Sequence, residues 1–247
     1  MALLETEALV LRTYNLAEAD KIVVFLTRGT GLVRAVARGS RRLKNRFGAA
    51  LEPFTLLNIT CYYKENQELI SLRQTEILQS HFNLLGDPET LTSLAYMGDL
   101  IVEFSAPYQP NEKLFRMVKA CVEAIAQSPS DLQSLVRYFE IWILKLEGFL
   151  PDIRSCAECA KEFAQLDTAF LGSDLALRCH SCSRGKGQAV SKRLHTQLRA
   201  TQKLAPYIFA QESRQVPANI HREMAELAQQ LIGRVLERQP RIRPTVV

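Results

Sequence analysis

The chain has no apolar run approaching the roughly 20 residues that a membrane-spanning helix needs. Its first residues, MALLETEALV, lack a positive segment followed by a hydrophobic stretch, so no secretory signal is expected and the cytoplasm is. There is no G-x-x-x-x-G-K-[ST] phosphate loop, no H-E-x-x-H and no G-x-S-x-G. Gly29-Thr30-Gly31 lacks the rest of any nucleotide fingerprint, and the stretch from His221 to Ala225 is only superficially like a zinc-protease motif. Four scattered histidines (His81, His180, His195 and His221) leave little material for a nucleophilic triad. Glu5 and Glu7 share a strand face, but near a terminus such a pair is expected to be solvated. Repeats and low-complexity tracts are also missing. With no catalytic machinery visible, a non-enzymatic protein is expected.

A further absence is more informative. Between Asp20 and Glu52 there is no carboxylate, while Lys21, Arg28, Arg34, Arg38, Arg41, Arg42, Lys44 and Arg46 all fall there. The net charge of +5 is modest, but it is unevenly spread. Residues 1–80 carry +3, residues 81–150 carry −4, residues 151–187 are neutral and residues 188–247 carry +6. The two basic ends point to an anionic partner.

The first 80 residues read as strands. TEALVLRTY alternates apolar and polar positions, DKIVVFLTR is β-branched, and Gly29-Thr30-Gly31 turns into LVRAVARG. LEPFTLLNITCYYK and QELISLRQTEI follow, joined by a hairpin turn at Glu65-Asn66. Five short strands without a long helix predict a small closed barrel, an OB-fold first and an SH3-like barrel as its rival. In LVRAVARG, Val33, Ala35 and Ala37 share one face and Arg34, Val36 and Arg38 the other, so one face can pack while the other presents guanidinium groups. Phe47, Phe54, Tyr62 and Tyr63 lie nearby. At least one tyrosine should face outward, whereas Phe25 and Phe54 are expected in the core. A cationic groove with aromatic platforms is how OB-folds hold single-stranded nucleic acid, with stacking worth roughly 1–3 kcal/mol per base. The competing reading is a solvated basic face on an ordinary barrel.

From about residue 81 the period becomes helical. Asp87-Pro88-Glu89 opens a helix with Leu91, Leu94, Ala95, Leu100, Ile101 and Val102 as candidates for its buried stripe. Asn111 is placed to cap a second helix burying Leu114, Phe115, Val118, Cys121, Val122 and Ile125. Ser130 is placed to cap a third, with Leu132, Leu135, Val136, Phe139, Trp142, Ile143 and Leu146 on one face, ended by Gly148 and Pro151. Two more helices are expected over roughly 190–210 and 217–238.

Cys156-Ala157-Glu158-Cys159 and Cys179-His180-Ser181-Cys182 are separated by 19 residues. Two residues between cysteines let one tight turn aim both thiolates at a single cation, and two such knuckles complete a tetrahedron. Four protein ligands leave no open position, so one structural Zn2+ is expected here. A thioredoxin-like redox pair, cytosolic disulfides or a site that has partly lost its metal are the alternatives. His180 is expected beside the ligands or exposed. Cys61 and Cys121 read as ordinary buried thiols.

The expected architecture is α+β and multi-domain. It comprises an OB-fold DNA-binding domain (1–80), a helical bundle (81–151), a zinc-binding element (152–187), C-terminal helices packing on the helical domain (188–238) and a flexible tail (239–247).

The ordered set of motifs resembles the RecO family along nearly the whole chain. The segments ETEALVLRTYNLAEADKIVVFLTRGTGLVRAVARGSRR, LEPFTLLNITCYYKENQELISLRQTEIL, GFLPDIRSCAEC and CHSC carry it. The resemblance implies a DNA-binding recombination mediator of the RecF pathway that binds single- and double-stranded DNA and anneals complementary strands. Its implied partners are RecR, single-stranded DNA-binding protein through its C-terminal tail, and indirectly RecA; its implied setting is the cytoplasm, on the nucleoid. On this basis DNA contact is carried to Arg34, Arg38, Arg41, Arg42, Lys44 and Arg46, and metal ligation to Cys156, Cys159, Cys179 and Cys182. Lys192, Arg193, Arg199 and Lys203 are candidates for a second contact surface. Two alternatives stay open: a zinc-ribbon and OB factor in transcription or translation, and an unrecognised nuclease or phosphoryl-transfer enzyme.

Overall fold

The computed structural model describes residues 2–16, 18–63, 69–163, 168–238 and 240. Alternating apolar residues in the N-terminal segment form five strands: β1 (Ala2–Asn15), β2 (Lys21–Thr27), β3 (Gly31–Ala37), β4 (Leu56–Tyr63) and β5 (Leu69–Gln79). They close into a barrel in the order β1-β2-β3-β5-β4. β3 pairs with β5 in parallel, and the other strand pairs are antiparallel. This is an OB-like barrel. Its interior holds Val10, Val23, Phe25, Val33, Ala35, Leu57, Ile59, Ile70 and Leu72. The strand-to-strand segment after β3 contributes Phe47, Ala50 and Leu51 to the same core, the last two from a short 3-10 turn over Gly48–Leu51 where a strand was expected from Leu51 onward. The turn expected at Glu65-Asn66 lies outside the described residues.

Gly31 shows why the β2 to β3 turn needs glycine. Its φ is +75°, and a Cβ there would sit 1.9 Å from the Gln109 carbonyl oxygen.

Helix α1 (Pro88–Phe104) starts where expected: the Asp87 carboxylate accepts from the Thr90 backbone N–H at 2.8 Å, with proline in the first turn. Its buried face differs from the expected stripe. Leu91 is exposed and Ala95 and Val102 are half-buried, while Tyr96, Met97 and Gly98 are buried with Leu94, Leu100 and Ile101. The face is chosen by the barrel. Gly98 lets the helix approach until its Cβ position is 3.4 Å from the Leu11 carbonyl and 3.8 Å from the Phe54 ring, and Arg12 of β1 pairs with Asp99 beside it.

Helix α2 (Glu112–Gln127) is capped by Asn111, whose side-chain oxygen accepts from Leu114 N at 3.0 Å, and it buries all six residues expected of it. Helix α3 (Leu132–Leu146) is not capped by Ser130. Instead Ser128 donates to Asp131 at 2.7 Å, and Arg214 bonds both of Asp131's carboxylate oxygens at 2.9 and 2.7 Å and reaches Ser128 at 3.0 Å.

The chain forms two compact units, divided between Ala126 and Gln127. The barrel, α1 and α2 lie in the first; α3, the cysteine segment and the later helices lie in the second. In the second unit α3 packs against α5 (Lys192–Lys203), α6 (Pro206–Ser213) and α7 (Ala218–Val235). Tyr138 donates to the Leu204 carbonyl at 3.0 Å and Trp142 to the Thr201 carbonyl at 2.6 Å, which fixes α3 against the end of α5. The helix expected over 190–210 is two helices. Pro206 cannot continue the α5 hydrogen-bond ladder and instead starts α6 in its first turn. Of the tail from 239, only Pro240 is described.

Candidate nucleic-acid face and metal centre

β3 delivers its two faces as the alternation requires. Val33, Ala35 and Ala37 are fully buried, whereas Arg34 and Arg38 are exposed and Val36 is half-buried. The chain then leaves the barrel in a loop that is stitched to its neighbours. The Asp20 carboxylate accepts from Gly39 N at 2.8 Å, and the Ala19 carbonyl accepts from Arg41 N at 3.0 Å. Asn45 donates to the Arg42 carbonyl at 3.1 Å, and its side-chain oxygen accepts from Phe47 N and Gly48 N at 3.0 and 2.8 Å. The side chains of Arg41, Arg42, Lys44 and Arg46 stand exposed on this ordered loop. All six cations singled out in the sequence are therefore on the surface, and the strand and its following loop place them together. Arg46 is partly committed: its guanidinium lies 4.9 Å over the Phe47 ring and donates to the Leu72 carbonyl at 3.4 Å. Arg28, also in the basic stretch, is spent on Glu7 and Glu112 at 3.2 and 2.9 Å, and these carboxylates push its pKa up.

The aromatic residues divide clearly. Phe25, Phe47 and Phe54 are buried, while Tyr62 and Tyr63 are each 39% exposed at the end of β4. Arg73 of β5, a cation outside the basic stretch, lies exposed 5.0 Å over the ring of Tyr62, one of the two tyrosines expected to face outward. The signal was present. Ile70 and Leu72 alternate inward along β5, so Leu69, Ser71 and Arg73 face outward, and Ser71 pairs with Val36 on one side and Tyr62 on the other.

The second unit holds the cysteines. Strands β6 (Thr168–Leu171), β7 (Leu177–Cys179) and β8 (Gln188–Ser191) form a small antiparallel sheet in the order β7-β6-β8. Cys179 ends β7, and Cys182 lies in the single helical turn α4 (His180–Ser183). The first knuckle is folded back on itself: Cys156 N donates to the Lys161 carbonyl and Ala160 N to the Cys156 carbonyl, both at 2.9 Å. Ala157 N donates to the Leu177 carbonyl at 2.9 Å, tying this knuckle to β7. Buried His195 of α5 donates to the Ile153 carbonyl and sets its ring edge against Phe163, 5.9 Å away, so α5 holds the entrance to the knuckle.

The sulfurs of Cys156, Cys159, Cys179 and Cys182 all lie within 4.8 Å of one another. The Cys159 and Cys179 sulfurs are 3.7 Å apart, against about 3.8 Å for two corners of a tetrahedron with 2.3 Å metal–sulfur bonds. Burial opposes ionisation of Cys156, but the backbone N–H groups of Cys159, Cys179 and Glu158 outweigh it and hold that thiol down to about 6. Sulfurs at this spacing, with backbone donors aimed at one of them, suit a divalent ion bound by thiolates. His180 is outside the cluster, exposed, and packs edge-on with Phe170, the ring centroids 5.7 Å apart. Cys61 and Cys121 are fully buried elsewhere; burial pushes the Cys61 thiol up to about 12 and raises Cys121 as well.

The family model described as "Recombination protein O N terminal" matches residues 1–81, and the one described as "Recombination protein O C terminal" matches residues 85–244. The chain belongs to the RecO family. Among curated relatives, one from Koribacter versatilis is 33% identical over 158 residues, covering 64% of each chain. One from Bifidobacterium animalis subsp. lactis is 33% identical over 73% of this chain and 76% of the relative, and one from Alkaliphilus metalliredigens is 26% identical over 87% and 84%. Each of these is named "DNA repair protein RecO". Among the described residues, no helix is long and apolar enough to cross a membrane.

Proposed function

We propose that this RecO-family chain is a cytoplasmic DNA repair protein that binds single- and double-stranded DNA and anneals complementary strands. With RecR it would help RecA load onto DNA coated by single-stranded DNA-binding protein. The observation that carries this reading is the acid-free basic stretch on the OB-like barrel: Arg34 of β3 and Arg38, Arg41, Arg42, Lys44 and Arg46 after it contact phosphates, and Tyr62 with Arg73 offers a stacking surface beside them.

Such a surface can promote annealing without a catalytic group. It screens the repulsion between two strands and raises their local concentration, and base pairing supplies the free energy. Lys192, Arg193 and Lys203, exposed on α5 with half-buried Arg199, form a second basic surface in the other unit. The four cysteines hold one structural zinc ion, which joins the two knuckles across the end of β7.

The test is annealing of complementary oligonucleotides precoated with single-stranded DNA-binding protein. Acceleration by the purified chain supports the reading. Binding to DNA with no acceleration on coated strands would favour a plain OB nucleic-acid-binding factor.

A further inference from the structure

Leu43 stands in water in the middle of the most basic stretch of the chain and is 105% exposed. A single exposed leucine is ordinary, but this one has an unusual setting. The loop around it is held from both ends, by Asp20 and Ala19 on one side and by the Asn45 turn on the other. That loop already contributes an apolar anchor to the barrel core, Phe47, which is buried. Leu43 is thus presented outward by an ordered turn, with Arg41, Arg42, Lys44 and Arg46 exposed around it.

A strand whose phosphates lie across those cations brings its bases to the same tip, and the faces of bases are the apolar surface a nucleic acid can offer. We infer that Leu43 is a wedge that rests on base faces of the bound strand and opens one base step. This rests on the DNA-binding reading above and adds a second kind of contact to it. The cations hold the strand by charge, while Leu43 parts neighbouring bases, as apolar side chains do when inserted between base steps. An opened step leaves base edges free to meet an incoming complement.

The two contributions separate experimentally. The full chain is titrated into a single-stranded oligonucleotide containing 2-aminopurine, whose fluorescence rises when it unstacks, at several salt concentrations. The unaltered protein should raise the fluorescence. Leu43→Ser should abolish the rise and weaken binding about fivefold to tenfold, the loss of roughly half a leucine's burial, with the slope of log affinity against log salt unchanged. Leu43→Lys should steepen that slope by about 0.7 and still show no rise. Since the side chain touches nothing in the barrel, neither variant should change the melting temperature. If Leu43→Ser binds and brightens the probe like the parent, the wedge is wrong and the DNA-binding reading stands. If the unaltered protein does not bind the oligonucleotide at all, both fall together.

Discussion

Replacing Arg38 and Arg41 together by alanine should weaken binding to single-stranded DNA about 25-fold at 0.1 M salt. The magnitude follows from how many of the cations neutralise phosphates. Arg28 is held by Glu7 and Glu112, and Arg46 is partly engaged with Phe47 and Leu72. About four of the six proposed contacts, Arg38 and Arg41 among them, are taken to neutralise phosphates. At about 0.7 counterions released per phosphate neutralised on a single strand, four contacts give a log–log salt slope near −3. Removing two halves it to about −1.4 and costs about 1.4 log units at 0.1 M. Both side chains are exposed, and the bond from Arg41 N to the Ala19 carbonyl is made by the backbone, which alanine keeps. Fluorescence anisotropy over a series of salt concentrations measures the slope directly. As a control, Arg28→Ala should leave it unchanged. Parallel salt plots for the parent and the double variant would refute the assignment of these arginines to phosphates.

Elemental analysis should find about one zinc per chain, and Cys156→Ser should lose the metal and lower the melting temperature; a metal-free parent of equal stability would contradict the site. Gly31→Ala should destabilise the barrel unit by more than about 2 kcal/mol, since the added methyl meets the Gln109 carbonyl and the backbone is left-handed there; denaturant unfolding checks it. Asp131→Asn should cost about 1–2 kcal/mol at neutral pH, by weakening charge-assisted bonds to the half-exposed Arg214. Arg214, opposed by burial and helped by Ser128, holds the Asp131 pKa below its ordinary value. Its stabilisation is therefore complete above the usual aspartate range, near pH 4, and lost as the pH falls through the depressed value. Unfolding curves of parent and variant should converge in acid, and a gap that persists there would refute the ion pair.

Patterns of period two and short fixed spacings carried their meaning in the chain itself. The inward Val33, Ala35 and Ala37, the outward Arg34 and Arg38, the Asn111 cap and the paired C-x-x-C knuckles are each set by backbone geometry over a few residues, and the folded chain keeps all of them. What depended on partners distant in sequence was settled only in three dimensions. Which face of α1 is buried follows from the barrel strand that Gly98 approaches, and the companions of α3 lie beyond the cysteine segment. That Arg28 is neutralised while Arg42 is exposed follows from where Glu7 and Glu112 arrive, and Phe47 turns inward because the barrel has room for its ring. Local sterics and hydrogen bonding act through neighbours along the chain and are legible there. Burial and charge pairing depend on what tertiary folding brings alongside, and no local pattern encodes that.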